Sequence, residues 1–162
     1  MAELSEKTNV MRILDGKKIP YRAHTYRPDA SMSGTQIAAL LGEDPDKVFK
    51  TLVTAGKSGQ HYVFVIPVAA ELDLKKAAAV SHEKAIAMIP QKELLPLTGY
   101  IHGGCSPIGM KKAFPTWIHE TALRQETMFV SAGKVGFQIE LSPEKLAETA
   151  RCGFADLVME QI

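Results

Sequence analysis

The amino-acid sequence predicts a mixed α/β fold in which helices flank a curved, largely antiparallel sheet. The candidate strands are short, several neighbouring strands are separated only by glycine-containing turns, and the helical segments fall between them irregularly. Short turns join antiparallel strands, whereas a doubly wound parallel sheet needs a helical crossover between successive strands. The pattern therefore favours an antiparallel sheet with helices at its margins.

The amino-terminal half begins with a helix and continues into a β-hairpin. Val10, Ile13 and Leu14 recur at helical spacing, and the turn over 56–59 separates two apolar runs of strand character. In chain order we predict a helix from Ser5 to Gly16, a strand over 21–26, a loop over 27–34, a helix ending at Gly42, a single turn beginning at Asp44 and Pro45, and hairpin strands over 48–54 and 62–68.

The carboxy-terminal half contains helices, strands and one glycine-rich loop. Ser142, Pro143 and Glu144 form a typical helix start, and Gly133 lies in the turn of a second hairpin. In chain order we predict helices over 72–80, 81–88 and 90–95, a loop over 99–109, a strand over 116–119, hairpin strands over 127–131 and 137–141, and a last helix that ends near Gly153.

The composition predicts one globular domain over residues 1–162. Of these residues 46% are hydrophobic and 23% are charged, and no apolar run approaches the ~18–20 residues that span a bilayer. The polar, acidic amino terminus is unlike a secretory signal, so we expect a cytoplasmic location and no membrane partner. Cys105 and Cys152 form no metal-ligand or disulfide pattern, so we expect no metal and no cofactor.

The net charge of +1 argues against a general binder of polyanions such as DNA. A local basic surface still suffices to contact a phosphate of RNA. The lysines are scattered singly or in pairs along the chain, and we expect most of them to be solvated surface residues. Charge therefore leaves RNA open as a partner and does not by itself predict it.

A loop with four glycines and one proline, over residues 99–109, is the most informative segment of the chain. Glycine permits positive φ values, and successive N–H groups turned to one side bind anions or the oxyanion of an ester. The spacing matches neither a P-loop nor a dinucleotide-binding fingerprint. Two interpretations stay open at this point: an oxyanion site, or a tight turn that needs glycine for its geometry alone.

Lys50 and Cys105 are the side chains with the clearest catalytic potential. Lys50 lies in an apolar strand and points either into a pocket or to solvent, of which the second is commoner. Cys105 lies near His102 in the glycine loop. A cysteine nucleophile needs a base in contact with it, and closeness in sequence does not establish such a contact. A small structural residue is the simpler interpretation of Cys105. No Ser-His-Asp signature or nucleophile elbow occurs, so ester cleavage would need a nucleophile from elsewhere.

Several segments follow one order along almost the whole chain and together carry a family resemblance. They are residues 24–26, 44–52, 67–69, 72–76, 98–100, 103–109, 111–112, 130–134, 139–141 and 154–156. In this ordered set the chain resembles the YbaK/EbsC family, the free-standing relatives of the editing domain of bacterial prolyl-tRNA synthetase. The closest resemblance is to the Cys-tRNA(Pro) deacylase branch.

The resemblance implies a fold, an activity and a site. The fold is a mixed, β-barrel-like sheet with flanking helices, and the activity is removal of cysteine from mischarged tRNA(Pro), with Cys-tRNA(Cys) as a second substrate. Lys50 matches the family's essential lysine, to which binding of the tRNA 3′-terminal adenosine and its phosphate is ascribed. Gly103 matches the glycine whose N–H faces the scissile carbonyl, with Gly104 beside it. The predicted substrate-binding residues are Tyr26, Ser33, Thr51, Ser106, Pro107, Ser131 and Gln138.

Two positions depart from the family pattern where the amino-acid pocket is expected. Gln138 stands two residues before Glu140, where the family often has aspartate. Ser33 stands before Gly34, where a phenylalanine is expected. Both departures leave the identity of the amino acid less certain than the fold or the class of reaction.

The resemblance also implies a mechanism and partners. In the Cys-tRNA branch the nucleophile is the substrate thiol, which attacks its own carbonyl to give a cyclic thiolactone and free tRNA, in agreement with the missing protein nucleophile. Two alternatives stay open: a water-dependent deacylase for another small amino acid such as alanine, and a non-catalytic module that binds tRNA ends or nucleotides. The expected partners are the 3′ end of an aminoacyl-tRNA and, in a transient complex, prolyl-tRNA synthetase.

Overall fold

The computed structural model describes residues 6–27 and 32–160. The helices are α1 (Asn9–Gly16), α2 (Gly34–Leu40), α3 (Leu74–Ser81), α4 (Leu94–Thr98) and α5 (Pro143–Ala150), with short 3-10 helices at Pro45–Lys47, Gln91–Glu93 and Glu120–Arg124. The strands are β1 (Arg22–Thr25), β2 (Phe49–Gly56), β3 (His61–Pro67), β4 (Ile86–Met88), β5 (Thr116–His119), β6 (Met128–Ser131), β7 (Phe137–Leu141) and β8 (Cys152–Ala155). None of the described helices is long and apolar enough to cross a membrane.

The strands form two sheets that meet at one point. The smaller sheet has the order β1-β7-β6 and is antiparallel throughout. The larger sheet has the order β4-β2-β3-β5-β8, in which β3, β5 and β8 pair in parallel and the other pairs are antiparallel. A parallel bridge between Val48 and Phe129 joins the sheets. The mixed α/β, largely antiparallel fold is thus confirmed, although the described strands do not close into a barrel.

Most predicted elements are confirmed, and their capping residues explain the boundaries. Ser142 accepts a hydrogen bond from the N–H of Lys145 at the start of α5, and Asp44 does the same for the turn at Pro45–Lys47. Helix α1 begins after Thr8, which caps it. The predicted cap Ser5, and residues 28–31 of the predicted loop, lie outside the described residues.

One predicted helix is wrong, and another is predicted too long. The helix predicted over 81–88 is replaced by strand β4, which pairs with Thr54–Gly56 of β2, because α3 ends at Ser81 and the next residue, His82, has a left-handed φ of 59°. The last helix, α5, ends at Ala150; Arg151 after it is also left-handed, and the next four residues form β8 beside β5. Both strands are short and are stabilised by partners distant in sequence, which local periodicity does not reveal.

Each face of β2 packs against a different core. Strand geometry sends alternate side chains to opposite faces, so Phe49 and Val53 enter one core while Leu52 packs against the other. The larger core also contains Val10, Leu14, Val63, Ile118, Met128, Ile139 and Leu146. The smaller one contains Phe64, Ile66, Ala77 and Leu157. Burial on both faces holds β2 firmly, and its first residues are thereby placed against the smaller sheet.

Candidate active site

A cavity of about 240 Å³ lies where the first residues of β2 approach the smaller sheet. Its walls come from β2, from the facing ends of β6 and β7, from the start of α2 and from the glycine loop. The lining residues are Tyr26, Met32, Ser33, Gly34, Ile37, Val48, Phe49, Lys50, Thr51, Leu52, Val68, Leu94, His102, Gly103, Cys105, Val130, Ser131, Phe137 and Gln138. A mostly apolar hollow with a few converging polar groups is typical of a small-molecule site.

Most of the residues predicted for the site border this cavity, although they are spread from position 26 to position 138. They are Tyr26, Ser33, Lys50, Thr51, Gly103, Ser131 and Gln138. Strand pairing accounts for part of this convergence, since Ser131 of β6 lies directly opposite Gln138 of β7. The structure therefore brings the predicted residues together, while their individual roles stay predictions.

Three predicted site residues do not border the cavity. The N–H of Gly104 donates to the carbonyl of Ile101 at 2.9 Å, so it is not available to an oxyanion. Ser106 is fully buried, and its hydroxyl accepts a hydrogen bond from the N–H of Ile108. Pro107 lines a separate cavity of about 190 Å³. These residues shape the glycine loop rather than contact the main cavity.

Replacing Gly104 by alanine should destabilise the protein. An added Cβ would lie 3.0 Å from the backbone nitrogen of Val135 and 3.3 Å from the carbonyl carbon of Lys134, and backbone cannot easily move aside. We expect a loss of about 1–3 kcal/mol in the free energy of unfolding, the usual cost of overpacking, measured by chemical denaturation. Gly16→Ala is the matched control, because nothing lies within 4 Å of its added Cβ. Equal stability of the two variants would contradict the close approach.

Gly103 differs from Gly104 in whether its N–H is available to bind an oxyanion. Its φ is 86°, which glycine adopts readily and other residues do not. No backbone carbonyl among the described residues accepts its N–H. Gly103 therefore combines a position on the cavity wall with a donor that has no partner among the residues the structure describes, as an oxyanion site requires.

Lys50 borders the cavity rather than facing bulk solvent alone. The side chain is half-buried, and burial lowers the pKa of its amine, with the nearby charge of Glu71 acting in the opposite direction. No salt bridge links this amine to a carboxylate of the described residues. A desolvated cation without a close counter-ion is suited to bind an anionic group such as a phosphate.

Cys105 also borders the cavity, but its chemistry argues against a nucleophile. Burial raises the pKa of the thiol to about 12, so very little thiolate exists near neutral pH. No hydrogen bond joins Cys105 to His102 among the described residues, although both border the cavity. The thiol therefore lacks the activating base that a cysteine enzyme needs.

We predict that Cys105→Ser keeps the deacylation rate of the unmodified protein. The reason is that a thiol held in its protonated form contributes no nucleophile to lose. The rate should be measured under single-turnover conditions, with a thermal melt to show that the buried hydroxyl has not unfolded the chain. A rate that collapses in a folded variant would restore Cys105 as the nucleophile.

Thr51, Ser131 and Gln138 line what we call the polar floor of the cavity, and two of these side chains each contain a buried oxygen without a partner in the described part of the chain. Among the described residues, neither the hydroxyl oxygen of Thr51 nor the carbonyl oxygen of Gln138 has a hydrogen-bond partner. The amide nitrogen of Gln138 donates to Oε1 of Glu43 at 3.0 Å. Sequence reasoning missed Glu43, because it lies in an ordinary turn between Gly42 and Asp44, and nothing local indicates that this turn packs against β7.

Ser33 has a structural role that explains its identity. Its hydroxyl accepts from the N–H of Gln36, and the Gln36 side chain accepts from the N–H of Ser33, so the pair forms a capping box at the start of α2. This helix start is one wall of the cavity.

Among the described residues, no group of three or more histidine, cysteine, aspartate or glutamate side chains could hold a metal ion.

Comparison with known proteins identifies the class. A family model described as the aminoacyl-tRNA editing domain matches residues 28–149. EbsC of Enterococcus faecalis, a proposed Cys-tRNA(Pro)/Cys-tRNA(Cys) deacylase, is 43% identical over 157 residues, which are 96% of each chain. The chain therefore belongs to the aminoacyl-tRNA editing family and is an enzyme of the aminoacyl-tRNA deacylase class. Within this family it falls in the YbaK/EbsC group, as its sequence predicts.

Solved structures confirm the fold. A proposed trans-editing enzyme for prolyl-tRNA synthetase superposes with a TM-score of 0.81 at 21% identity, covering 96% of this chain and 100% of that one. The hypothetical protein APE2540 superposes with a TM-score of 0.85 at 22% identity, covering 94% and 100% of the two chains. At this level of identity the likeness establishes a shared architecture and nothing finer.

Proposed function

We propose that this protein is a free-standing editing enzyme that removes cysteine from mischarged tRNA(Pro), and also from Cys-tRNA(Cys). The observation that carries the proposal is the composition of the cavity. A cationic Lys50 and the uncommitted Gly103 N–H border it, whereas the thiol of Cys105 is held protonated. Such a site can orient an ester and stabilise an oxyanion, but it needs a nucleophile from the substrate or from water. The name of the 43% identical relative supports cysteine as the amino acid.

The need for such an enzyme follows from the limits of binding selectivity. A pocket distinguishes side chains that differ by about one methylene by only ~1–3 kcal/mol. Cysteine is no larger than proline, so an active site that accepts proline cannot exclude cysteine by size. A second site that recognises cysteine by its chemistry corrects the error, which is the role we assign to this cavity.

The proposed reaction uses the substrate's own thiol. The thiol sulfur forms a bond to the ester carbonyl carbon, the bond from that carbon to the ribose oxygen breaks, and the thiol proton ends on the ribose hydroxyl. The products are a cyclic thiolactone and free tRNA. Intramolecular attack in a favourable rotamer gains ~7–11 kcal/mol from proximity. A well-placed backbone donor such as the Gly103 N–H adds ~2.7–4 kcal/mol by stabilising the oxyanion.

The arrangement of the walls supports one orientation of the substrate. Lys50 binds the phosphate next to the terminal adenosine, and the ester carbonyl faces Gly103, which borders the same cavity. The amino acid then lies towards Thr51, Ser131 and Gln138, at the polar floor. Each group of the substrate meets a protein group of complementary chemistry in this orientation.

A panel of aminoacyl-tRNAs tests the proposal. Purified protein should release cysteine from labelled Cys-tRNA(Pro) and leave Pro-tRNA(Pro) intact. Preferential release of alanine would instead support a water-dependent deacylase for another small amino acid. Binding without turnover of any of the Cys-, Ala-, Ser- and Pro-tRNAs would contradict a deacylase and support a module that only binds tRNA ends.

Delivery of the substrate is expected to involve prolyl-tRNA synthetase. The net charge of +1 provides little general attraction for a tRNA body, so a transient complex with the synthetase would bring the mischarged end to the cavity. Such a complex should form in a pull-down only when tRNA is present, in the cytoplasm where aminoacylation takes place. Independence from the synthetase in a reconstituted editing assay would contradict this route.

A further inference from the structure

The amide of Gln138 is held in one orientation by a carboxylate. Its side chain is only 4% exposed, and its Nε2 donates to Oε1 of Glu43 at 3.0 Å. An ionised carboxylate accepts hydrogen bonds and cannot donate, so it must face the NH₂ side of the amide. The carbonyl oxygen of Gln138 is thereby left unpaired, in a side chain that borders the cavity.

A second unpaired oxygen lies in another side chain that lines the same cavity. The hydroxyl of Thr51 is buried and has no partner among the described residues, although Thr51 lies on a different sheet from Gln138. Buried polar atoms in native proteins are rarely left without a hydrogen bond, and each exception calls for an explanation such as a bound group. Two such atoms in side chains that line one cavity point to a ligand group that donates hydrogen bonds.

The carboxylate of Glu43, which accepts a hydrogen bond from Gln138, indicates what kind of hydrogen-bond donor the ligand group is. The negative charge of Glu140 also acts on Glu43, but Glu140 is itself hydrogen-bonded to His24 at 3.0 Å and to Thr127 at 2.6 Å. The carboxylate of Glu43 has no comparable cationic contact among the described residues, and its side-chain bond goes to the neutral amide of Gln138. Burial raises the pKa of Glu43, while the Gln138 bond and the charge of His24 oppose that rise. A cation bound at Gln138 would offset the negative charge of Glu43.

We propose that Glu43 is a positioning and specificity residue: it holds Gln138 so that the amide oxygen, together with the Thr51 hydroxyl, receives the α-ammonium group of the aminoacyl ester. This inference rests on the proposed function, because it names the substrate group that this floor recognises. The α-ammonium is the cationic donor that separates an aminoacyl ester from other acyl esters. The arrangement also accounts for glutamine at position 138, since the carboxylate that serves the site belongs to Glu43.

A pair of small analogues tests the inference apart from turnover. The first is 3′-cysteinylamino-3′-deoxyadenosine, a non-cleavable amide, and the second is its 3-mercaptopropionyl counterpart, which lacks only the amine and is smaller. Binding is measured by calorimetry at neutral pH. The unmodified protein should bind the amine-bearing analogue about tenfold or more tighter, as expected for a charge-assisted hydrogen bond.

Variants then test whether the charge of Glu43, and not a change in folding, produces the preference for the amine-bearing analogue. Glu43→Gln should lose most of this preference by weakening only the amine-bearing analogue, with an unchanged melting temperature as the check on folding. The exchange Glu43→Gln with Gln138→Glu keeps a carboxylate next to an amide and should restore the preference. Glu126→Gln, on an exposed residue away from the cavity, is the matched control and should behave like the unmodified protein.

The outcomes also distinguish this inference from the proposed function. Equal weakening of both analogues by Glu43→Gln, or no weakening of either, overturns the role of Glu43. Failure of the exchange to restore the preference does the same. A protein that prefers the amine but releases no cysteine from Cys-tRNA refutes the proposed function and leaves recognition of the ammonium standing.

Discussion

Replacing Lys50 by alanine should reduce deacylation of Cys-tRNA to nearly the uncatalysed rate while the protein stays folded. The amine borders the cavity and has no salt-bridge partner among the described residues, so its charge is available to the substrate phosphate. One charge-assisted hydrogen bond contributes ~1.5–3 kcal/mol, and its loss lowers a rate roughly 10- to 100-fold. We expect a larger fall, because we propose that the same contact also sets the orientation of the ester. The measurement is kcat/KM under single-turnover conditions.

A neighbouring lysine provides the matched control. Lys47 lies three residues earlier, in the short helix before β2, and does not border the cavity, so Lys47→Ala should retain the rate. Lys50→Arg keeps the charge but changes its shape, and it should be intermediate. Full activity of a folded Lys50→Ala variant would remove Lys50 from the site.

The partly buried charge of Lys50 should lower the stability of the folded protein. The pKa of Lys50 is lower in the folded protein because burial penalises the charged form, so the unfolded chain binds the proton more strongly. The free-energy cost of burying the charged amine is therefore fully present at pH values below the pKa of Lys50 in the folded protein. It is relieved as the pH rises through that pKa. Lys50→Met should raise the melting temperature at neutral pH, although we expect it to abolish activity, whereas Lys57→Met on the exposed hairpin turn should not raise it. A Lys50→Met variant that melts lower would contradict this.

The second large effect is expected in the substrate rather than the enzyme. Ser-tRNA(Pro) should be deacylated at least ~100-fold more slowly than Cys-tRNA(Pro), because a thiol is partly ionised near neutral pH and a hydroxyl is not. Serine is close to cysteine in size, so the pocket alone does not account for a difference of this magnitude. The two rates should be compared on the same tRNA at saturating enzyme.

A methylated substrate completes this test. S-methylcysteinyl-tRNA retains the sulfur but cannot attack its own carbonyl, and we expect it to be bound and not cleaved. Similar rates for the cysteinyl and seryl esters would indicate activated water as the nucleophile. Cleavage of the S-methyl ester would lead to the same conclusion, and either result would leave the deacylase class intact.

The sequence by itself determined the elements that depend on neighbouring residues. The hairpin turns, the caps at Asp44 and Ser142, and the glycine loop follow from local backbone preferences, and the structure has them where they are predicted. Strands β4 and β8 were missed, because three or four residues of each are held by β2 and β5, which lie far away in the chain. Local periodicity carries no record of such partners.

The ordered family segments predicted the class of enzyme and seven of the residues that line the cavity. Only the tertiary structure separated Gly103 from Gly104, because the choice depends on which N–H already has a carbonyl partner. Only the structure placed Glu43 behind Gln138, through a contact between residues 95 positions apart. Local sequence sets what a segment prefers, whereas the burial of a charge and the pairing of a polar atom depend on what the rest of the chain packs against it.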